Sequence, residues 1–282
     1  MFGNNLGKRF KVIFGLFVSI IIAFCVLTAN LMNVGTEYAF AKQSNTAYAV
    51  FDVDKNEKIF GENDSLRLPM ASTTKIMTAL LVLENEFLDK KVKITKESVG
   101  VEGSSVYLKE NEVLTVEDLL YCLMLRSGND SAVALALSVA GSVDHFAEMM
   151  NIRAESLDLT NTHFTNPHGL HDENHYTSAN DLGIIAVTAM KNPVFRKIVG
   201  TKQIRIGENE SVRMLKNKNK MLNLFDGANG IKTGYTKKSG RCLVSSATRN
   251  GKTLVCVVLN YGDTYGLSKD LLEKGFKMTE GT

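Results

Sequence analysis

The spacing of apolar residues changes several times along the chain, and each change marks an element. Residues 47–53 alternate as a strand does, Asp54-Lys55-Asn56 supplies a turn, and residues 58–60 return, which predicts a hairpin. Over residues 72–84 the period becomes helical, with Ile76, Ala79, Leu80 and Leu83 on one face. A short strand is expected at 92–94. Residues 115–125 read as a helix capped by Thr115, with Asp118 three positions on in a variant of the capping box. Ser127-Gly128 breaks that helix, and an alanine-rich helix restarts over 130–139. Further helices are predicted at 143–155, 178–190 and 267–276, with a long loop rich in histidine and asparagine at 162–176. Residues 204–206 and 212–214 pair as short strands, and 243–248 and 253–259 form a hairpin about Asn250-Gly251.

Strands thus lie toward both ends and helices fill the middle. Terminal strands that meet in one antiparallel sheet, with a mostly helical insertion between them, give an α+β fold. The sequence shows no internal repeat and no low-complexity segment.

The first 41 residues follow a different pattern. Lys8, Arg9 and Lys11 make a positive start, 12–32 is almost wholly apolar, and Ala39-Phe40-Ala41 offers small residues where a signal peptidase reads. The expected organisation is a signal peptide over 1–41 and one domain over 42–282. An uncleaved anchor is the alternative, because the apolar run approaches the ~20 residues that span a bilayer. Either way the bulk of the chain is exported, and any membrane association rests on this segment. Phe24 stands before Cys25 where a lipobox wants a small residue, which argues against lipidation.

Composition narrows the classes. Of the 282 residues, 44% are hydrophobic, enough for a sizeable core. The net charge is +3, and the first 41 residues hold three basic residues against Glu37, so the remainder is close to neutral. That argues against a polybasic nucleic-acid binder. Lys216, Lys218 and Lys220 form the densest basic cluster and read as a solvated loop. Cys122 and Cys256 lie in apolar runs and read as small core residues. With Cys242 they make an odd count, without metal or disulfide spacing.

Three short motifs carry candidate chemistry: Ser72-Thr73-Thr74-Lys75, Ser127-Gly128-Asn129 and Lys232-Thr233-Gly234. Ser72 and Lys75, three apart on a helix, share a face. A serine needs a base to take its proton, and a lysine serves only if burial or a nearby positive charge lowers its pKa. Lys232 could supply that charge. Ser127 can pass a proton to a leaving amine, and Asn129 both donates and accepts. Lys232 and Thr233 on a strand edge can bind a carboxylate, and Gly234 permits close backbone approach. The backbone N–H groups of Tyr235 and Ser72 can then form an oxyanion hole. Taken singly, each motif also reads as a cap or a turn; the three in order carry the argument. His163, His168, His171 and His175 cluster in one loop, with His145 apart, but no H-E-x-x-H stretch is present, and structural or surface roles are expected. No G-x-S-x-G elbow supports a Ser-His-Asp triad.

Together these residues resemble the low-molecular-mass penicillin-binding proteins of the D-alanyl-D-alanine carboxypeptidase type. The likeness runs from about Ala47 to Phe276. It includes residues 69–79 around Ser72, Gly103-Ser104-Ser105, Asn166-Pro167-His168-Gly169-Leu170 and residues 230–236. The resemblance implies a serine β-lactamase/DD-peptidase-like fold and a peptidase acting on peptidoglycan stem peptides ending in D-Ala-D-Ala. Ser72 would be the acyl-ester nucleophile, Lys75 its proton acceptor, Ser127 a proton relay, and Asn129 a positioner. Lys232 and Thr233 would hold the terminal carboxylate. No cofactor or metal is implied, and β-lactams would acylate Ser72 as inhibitors.

Two departures stand out. The chain stops at Thr282, after the last predicted helix, so neither a C-terminal β-rich domain nor an amphipathic anchor is expected. Many members also place an arginine after the last strand, near the substrate carboxylate, and residues 260–269 contain none. Rival readings are a transpeptidase with the same acylation residues, a class A-like β-lactamase, and an inactive peptidoglycan-binding protein. The E-x-x-L-N stretch of the β-lactamases is missing: Glu155 is followed by Ser156-Leu157-Asp158-Leu159.

Overall fold

A computed structural model describes residues 45–280. The expected signal segment therefore lies outside the described residues. Strand β1 (Ala47–Asp52) turns at Asn56, in the left-handed region, into β2 (Glu57–Glu62). At the other end come β7 (Ala228–Thr236), β8 (Gly240–Arg249) and β9 (Lys252–Leu259). β8 and β9 join through Asn250-Gly251, both at positive φ as a tight hairpin turn requires. All five assemble in the order β2-β1-β9-β8-β7, each pair antiparallel, so the two chain ends do meet in one sheet.

The sheet is covered on both faces, which explains why its central strand β9 reads as an apolar run rather than an alternating one. Helix α5 (Ala179–Met190) packs against β1 and β9 on one face, among Ala49, Phe51, Val255 and Val257. Helix α8 (Thr264–Thr279) packs on the other, with Leu271, Leu272 and Phe276 against Val50, Leu243, Leu254 and Val258. The period-2 pleat sends alternate residues of one strand into these two cores.

The helical part is built around α1 (Lys75–Asn85), buried from Lys75 to Val82. Around it stand α2 (Val116–Arg126), α3 (Asn129–Ala140), α4 (Val143–Ser156) and α5. Thr115 and Asp118 exchange side-chain and backbone bonds in the capping box expected for α2. Ser127, at φ 64°, ends α2, and α3 begins two residues later. The short strands β3 (Lys91–Lys93) with β4 (Val113–Thr115), and β5 (Gln203–Ile206) with β6 (Arg213–Lys216), form two small ladders.

The structure corrects the sequence reading in places. The helix expected from Ser72 is instead a 3-10 turn, Ala71–Thr74, leading into α1 at Lys75. The physical reason is local: Ala71 sits at φ 48°, and the hydroxyls of Thr73 and Thr74 bond back to the carbonyls of Met70 and Ala71. Helix α6 (Pro193–Gly200) was not anticipated, although Asn192 caps it and Pro193 opens it, a readable start signal. Also not anticipated were β4, which owes its ladder to β3, and the single helical turn α7 (Met221–Leu224).

Helix α5 crosses β1 so closely at Gly183 that an added Cβ would lie 2.0 Å from the Phe51 ring. We expect Gly183→Ala to destabilise the domain by about 1–3 kcal/mol through overpacking. The check is the urea unfolding midpoint, which should fall with an unchanged slope; a companion Phe51→Leu should recover part of the loss.

Candidate active site

The three motifs come from four separate elements and gather around the Ser72 turn, where the amine of Lys75 is bonded by the first two. Lys75 is the first residue of α1 and is 0% exposed, enclosed by the helices that surround α1. Its Nζ lies 3.1 Å from Ser72 Oγ, on the preceding 3-10 turn. It donates to Asn129 Oδ1 at 2.7 Å and to the carbonyl of His168 at 2.5 Å. A neutral lysine has two N–H bonds and one lone pair. When the amine is neutral, the two carbonyl oxygens take its N–H bonds and its lone pair can turn to the Ser72 hydroxyl.

Electrostatics favour that neutral state. Burial is the largest influence holding the Lys75 pKa well below the ordinary lysine range, followed by the positive fields of Lys232 and Lys218. Lys232, on β7 and 2% exposed, is lowered to about 7 by burial first and by Lys218 second. Two amines buried near one another do not both stay charged. The basic cluster at 216–220 is exposed, as expected, but Lys216 belongs to β6 rather than a loop. Lys218 turns its ammonium onto Ser104 Oγ at 3.1 Å, and its field reaches both buried lysines.

Asn129 opens α3 and is held from three directions. Its Oδ1 accepts from Lys75, its Nδ2 donates to the carbonyl of Glu102, and its backbone N–H donates to the carbonyl of Ser104. Asp130 beside it accepts from Ser105 Oγ and from the N–H groups of Val106 and Leu108. The 102–108 segment is thus tied to the start of α3. Ser127 is 5% exposed, at the left-handed residue between α2 and α3.

Ser72 is positioned by a second chain of bonds. His175, 2% exposed, accepts from the Thr165 N–H at Nδ1, which places its ring proton on Nε2. Nε2 lies 2.8 Å from Thr74 Oγ1, which donates to the carbonyl of Ala71 at 2.8 Å. That carbonyl is also crowded by Gly169, where an added Cβ would sit 1.9 Å away. Burial lowers the His175 pKa to about 4 and that of His168 to about 3, so both rings are neutral. The other loop histidines find separate partners: His163 the carbonyl of Asn174, His171 the carboxylate of Glu173.

β7 is an edge strand, and its unpaired side borders the Ser72 turn. A Cβ at Gly234 would lie 3.1 Å from the backbone nitrogen of Ser72, so a larger residue would press on this turn. Thr233 is half-buried, and Tyr235 is exposed at the rim. The structure therefore brings Ser72, Lys75, Asn129 and Gly234 into one cleft, with Lys232 on the strand beside them. The sequence reading gave no role to the His168 carbonyl, Asp130, Thr74 or His175. Backbone carbonyls leave no side-chain signature, so only the position of Asn166-Pro167-His168-Gly169-Leu170 could have pointed there.

Comparison with known proteins fits this geometry. The model of the D-alanyl-D-alanine carboxypeptidase family, peptidase S11, matches residues 35–263. The chain is 36% identical over 238 residues to D-alanyl-D-alanine carboxypeptidase DacF of Bacillus subtilis, covering 78% of this chain and 61% of that protein. It is 40% identical over 211 residues to a D-alanyl-D-alanine carboxypeptidase of Streptomyces sp. K15, covering 68% and 72%. Among solved structures, the D-alanyl-D-alanine carboxypeptidase of Mycobacterium tuberculosis superposes with a TM-score of 0.76 at 30% identity, over 82% of this chain and 90% of that one. The Streptomyces K15 DD-transpeptidase does so with a TM-score of 0.71 at 37% identity, over 75% and 88%. With the α+β fold, a buried lysine beneath a serine, and sequence identity of this extent, the chain belongs to the D-alanyl-D-alanine carboxypeptidase family of serine peptidases.

Proposed function

We propose that this protein is a serine D-Ala-D-Ala carboxypeptidase that trims the terminal D-alanine from peptidoglycan stem peptides. The observation that carries the reading is the buried Lys75 amine, 3.1 Å from Ser72 Oγ and bonded to the carbonyl oxygens of Asn129 and His168. Ser72 Oγ attacks the carbonyl between the two D-alanines while Lys75 Nζ takes its proton. The oxyanion is met by the N–H groups of Ser72 and Tyr235. The C–N bond then breaks, Ser127 relays a proton to the departing amine, and water hydrolyses the ester. Asn129 holds Lys75, while Lys232 lends its charge to Lys75. Thr233 faces the substrate carboxylate, and the free edge of β7 receives the extended peptide. β-Lactams acylate Ser72 by the same attack. The substrate lies outside the cytoplasm, and residues 1–41 act as the signal segment that exports the domain; any membrane contact is made through them, if they stay attached as an anchor.

Transpeptidation is the second reading, favoured by the K15 neighbour, whose solved structure is described as a DD-transpeptidase. It uses the same acyl-enzyme, with an amine in place of water.

The primary test is intact mass over time after adding benzylpenicillin, beside a Ser72→Ala control. A slowly decaying adduct, absent from the control, is expected. Rapid drug turnover without an adduct would favour a β-lactamase, and neither adduct nor turnover would leave a non-catalytic binder.

Two further outcomes follow from the geometry. Acylation needs the neutral amine, so its rate rises with pH through the Lys75 pKa. Removing a neighbouring positive charge raises that pKa, so Lys218→Gln should move the ascending limb of the acylation pH profile to higher pH. Thr74→Val breaks the link from His175 to the Ala71 carbonyl. It should slow acylation by roughly tenfold to a hundredfold by loosening Ser72, with Thr74→Ser restoring most of the rate.

A further inference from the structure

A cavity of about 540 Å³ opens along β7. Lys220, Thr233, Gly234, Tyr235, Arg241 and Tyr265 contribute to its wall, which includes two cationic side chains and no acidic one. The strand register divides the side chains. Lys232 pairs with Val244, which faces the core shared with α1 and α5. Thr233 pairs with Leu243 and Tyr235 with Arg241, and Leu243 faces the α8 core. Paired residues share a face, and the face alternates along a strand. Thr233, Tyr235 and Arg241 therefore stand on the α8 face, and Lys232 stands on the opposite one.

This placement conflicts with a simple role for Lys232 as counter-ion to the substrate carboxylate. Its amine is buried and donates to the Thr233 carbonyl at 2.9 Å. By contrast, Arg241 and Lys220 are exposed at the cavity, and neither makes an ion pair among the described residues. Arg241 Nη1 lies 3.3 Å from the carbonyl of Gly262, a long contact that leaves the rest of its planar fork for a ligand. The backbone N–H of Lys220 approaches the Tyr265 hydroxyl at 3.4 Å, which sets these two residues side by side on the wall. The wall also includes Thr264, in the stretch after β9 that contains no arginine.

We propose that Arg241, with Lys220 as a second cation, binds the free terminal carboxylate of the substrate in this cavity, beside the Thr233 hydroxyl. The inference rests on the peptidase reading and names the specificity determinant of that same site. A carboxylate accepts two parallel N–H bonds from a guanidinium and a further one from a hydroxyl, so the wall is matched to its shape as well as its charge. Specificity for a free C-terminus then comes from β8 and the approach to α7, while Lys232 stays on the acylation side of the strand.

The test is calorimetric binding of acetyl-D-Ala-D-Ala and of its C-terminal amide to the full protein carrying Ser72→Ala, which prevents turnover. In that background we expect the free acid to bind about tenfold or more tightly than the amide. Arg241→Gln should remove most of this preference, and Arg241→Gln with Lys220→Gln should abolish it, while the amide affinity and the unfolding temperature stay as they were. A preference that survives in the doubly substituted protein would overturn the proposal while leaving the peptidase reading intact. A reference protein that binds both peptides equally would also overturn it alone. A reference protein that binds neither would overturn the proposal together with the reading on which it rests.

Discussion

A lysine amine held out of water beneath a serine is the constraint around which this structure is arranged. An isolated ammonium in a protein interior is strongly disfavoured, so the group there either finds a counter-charge or gives up its proton. Lys75 has no carboxylate among its hydrogen-bond partners; it has two carbonyl oxygens and the Ser72 hydroxyl. The four helices around α1 exclude water, and burial and the nearby lysines outweigh what the two carbonyls would give an ammonium. Burial thus favours the unprotonated amine, the form able to accept a proton.

The rest of the cleft is organised so that this geometry cannot relax. Asn129 can present its oxygen to Lys75 because its amide nitrogen is anchored to Glu102. That loop is in turn gathered by the carboxylate of Asp130. On the other side, the turn carrying Ser72 enters through a left-handed alanine, a conformation that surrounding contacts must sustain. The bonds from His175 through Thr74, and the close passage of Gly169 and Gly234, supply those contacts. The serine is fixed from both sides before any substrate arrives, which is where much of the advantage of a preorganised site lies.

Strand β7 divides the work between its two faces. On one, Lys232 sits in the interior with Lys75, and its charge depresses the neighbouring amine. On the other, Thr233 and Tyr235 border a cavity walled with exposed cations. A single residue step along a strand reverses side-chain direction. A lysine–threonine pair adjacent in sequence therefore presents one side chain to the interior and the other to the cavity. The close relatives share the fold that makes this possible, with TM-scores of 0.76 and 0.71 for the two solved structures compared.

Much of this was legible in the chain alone, where the signal is local. The β8–β9 hairpin followed from Asn250-Gly251 between apolar runs, and the start of α2 from Thr115 and Asp118, because turns and caps are chemistry between near neighbours. The meeting of terminal strands in one sheet followed from their distribution. The identity of Ser72, Lys75, Asn129 and Lys232 as the residues of interest followed from three spaced motifs. The 3-10 entry to α1 was not legible in the helical period, because it rests on the left-handed Ala71 and on the Thr73 and Thr74 hydroxyls bonding back to the backbone. Nor were the His168 carbonyl, the His175–Thr74 link, or the two faces of β7. Sequence by itself determined which side chains were available and which local elements would form. Only the tertiary structure decided which amine lost its water, which carbonyls took its hydrogens, and which cations faced the cavity. Desolvation and long-range contact are properties of the packed chain and have no counterpart in the order of its residues.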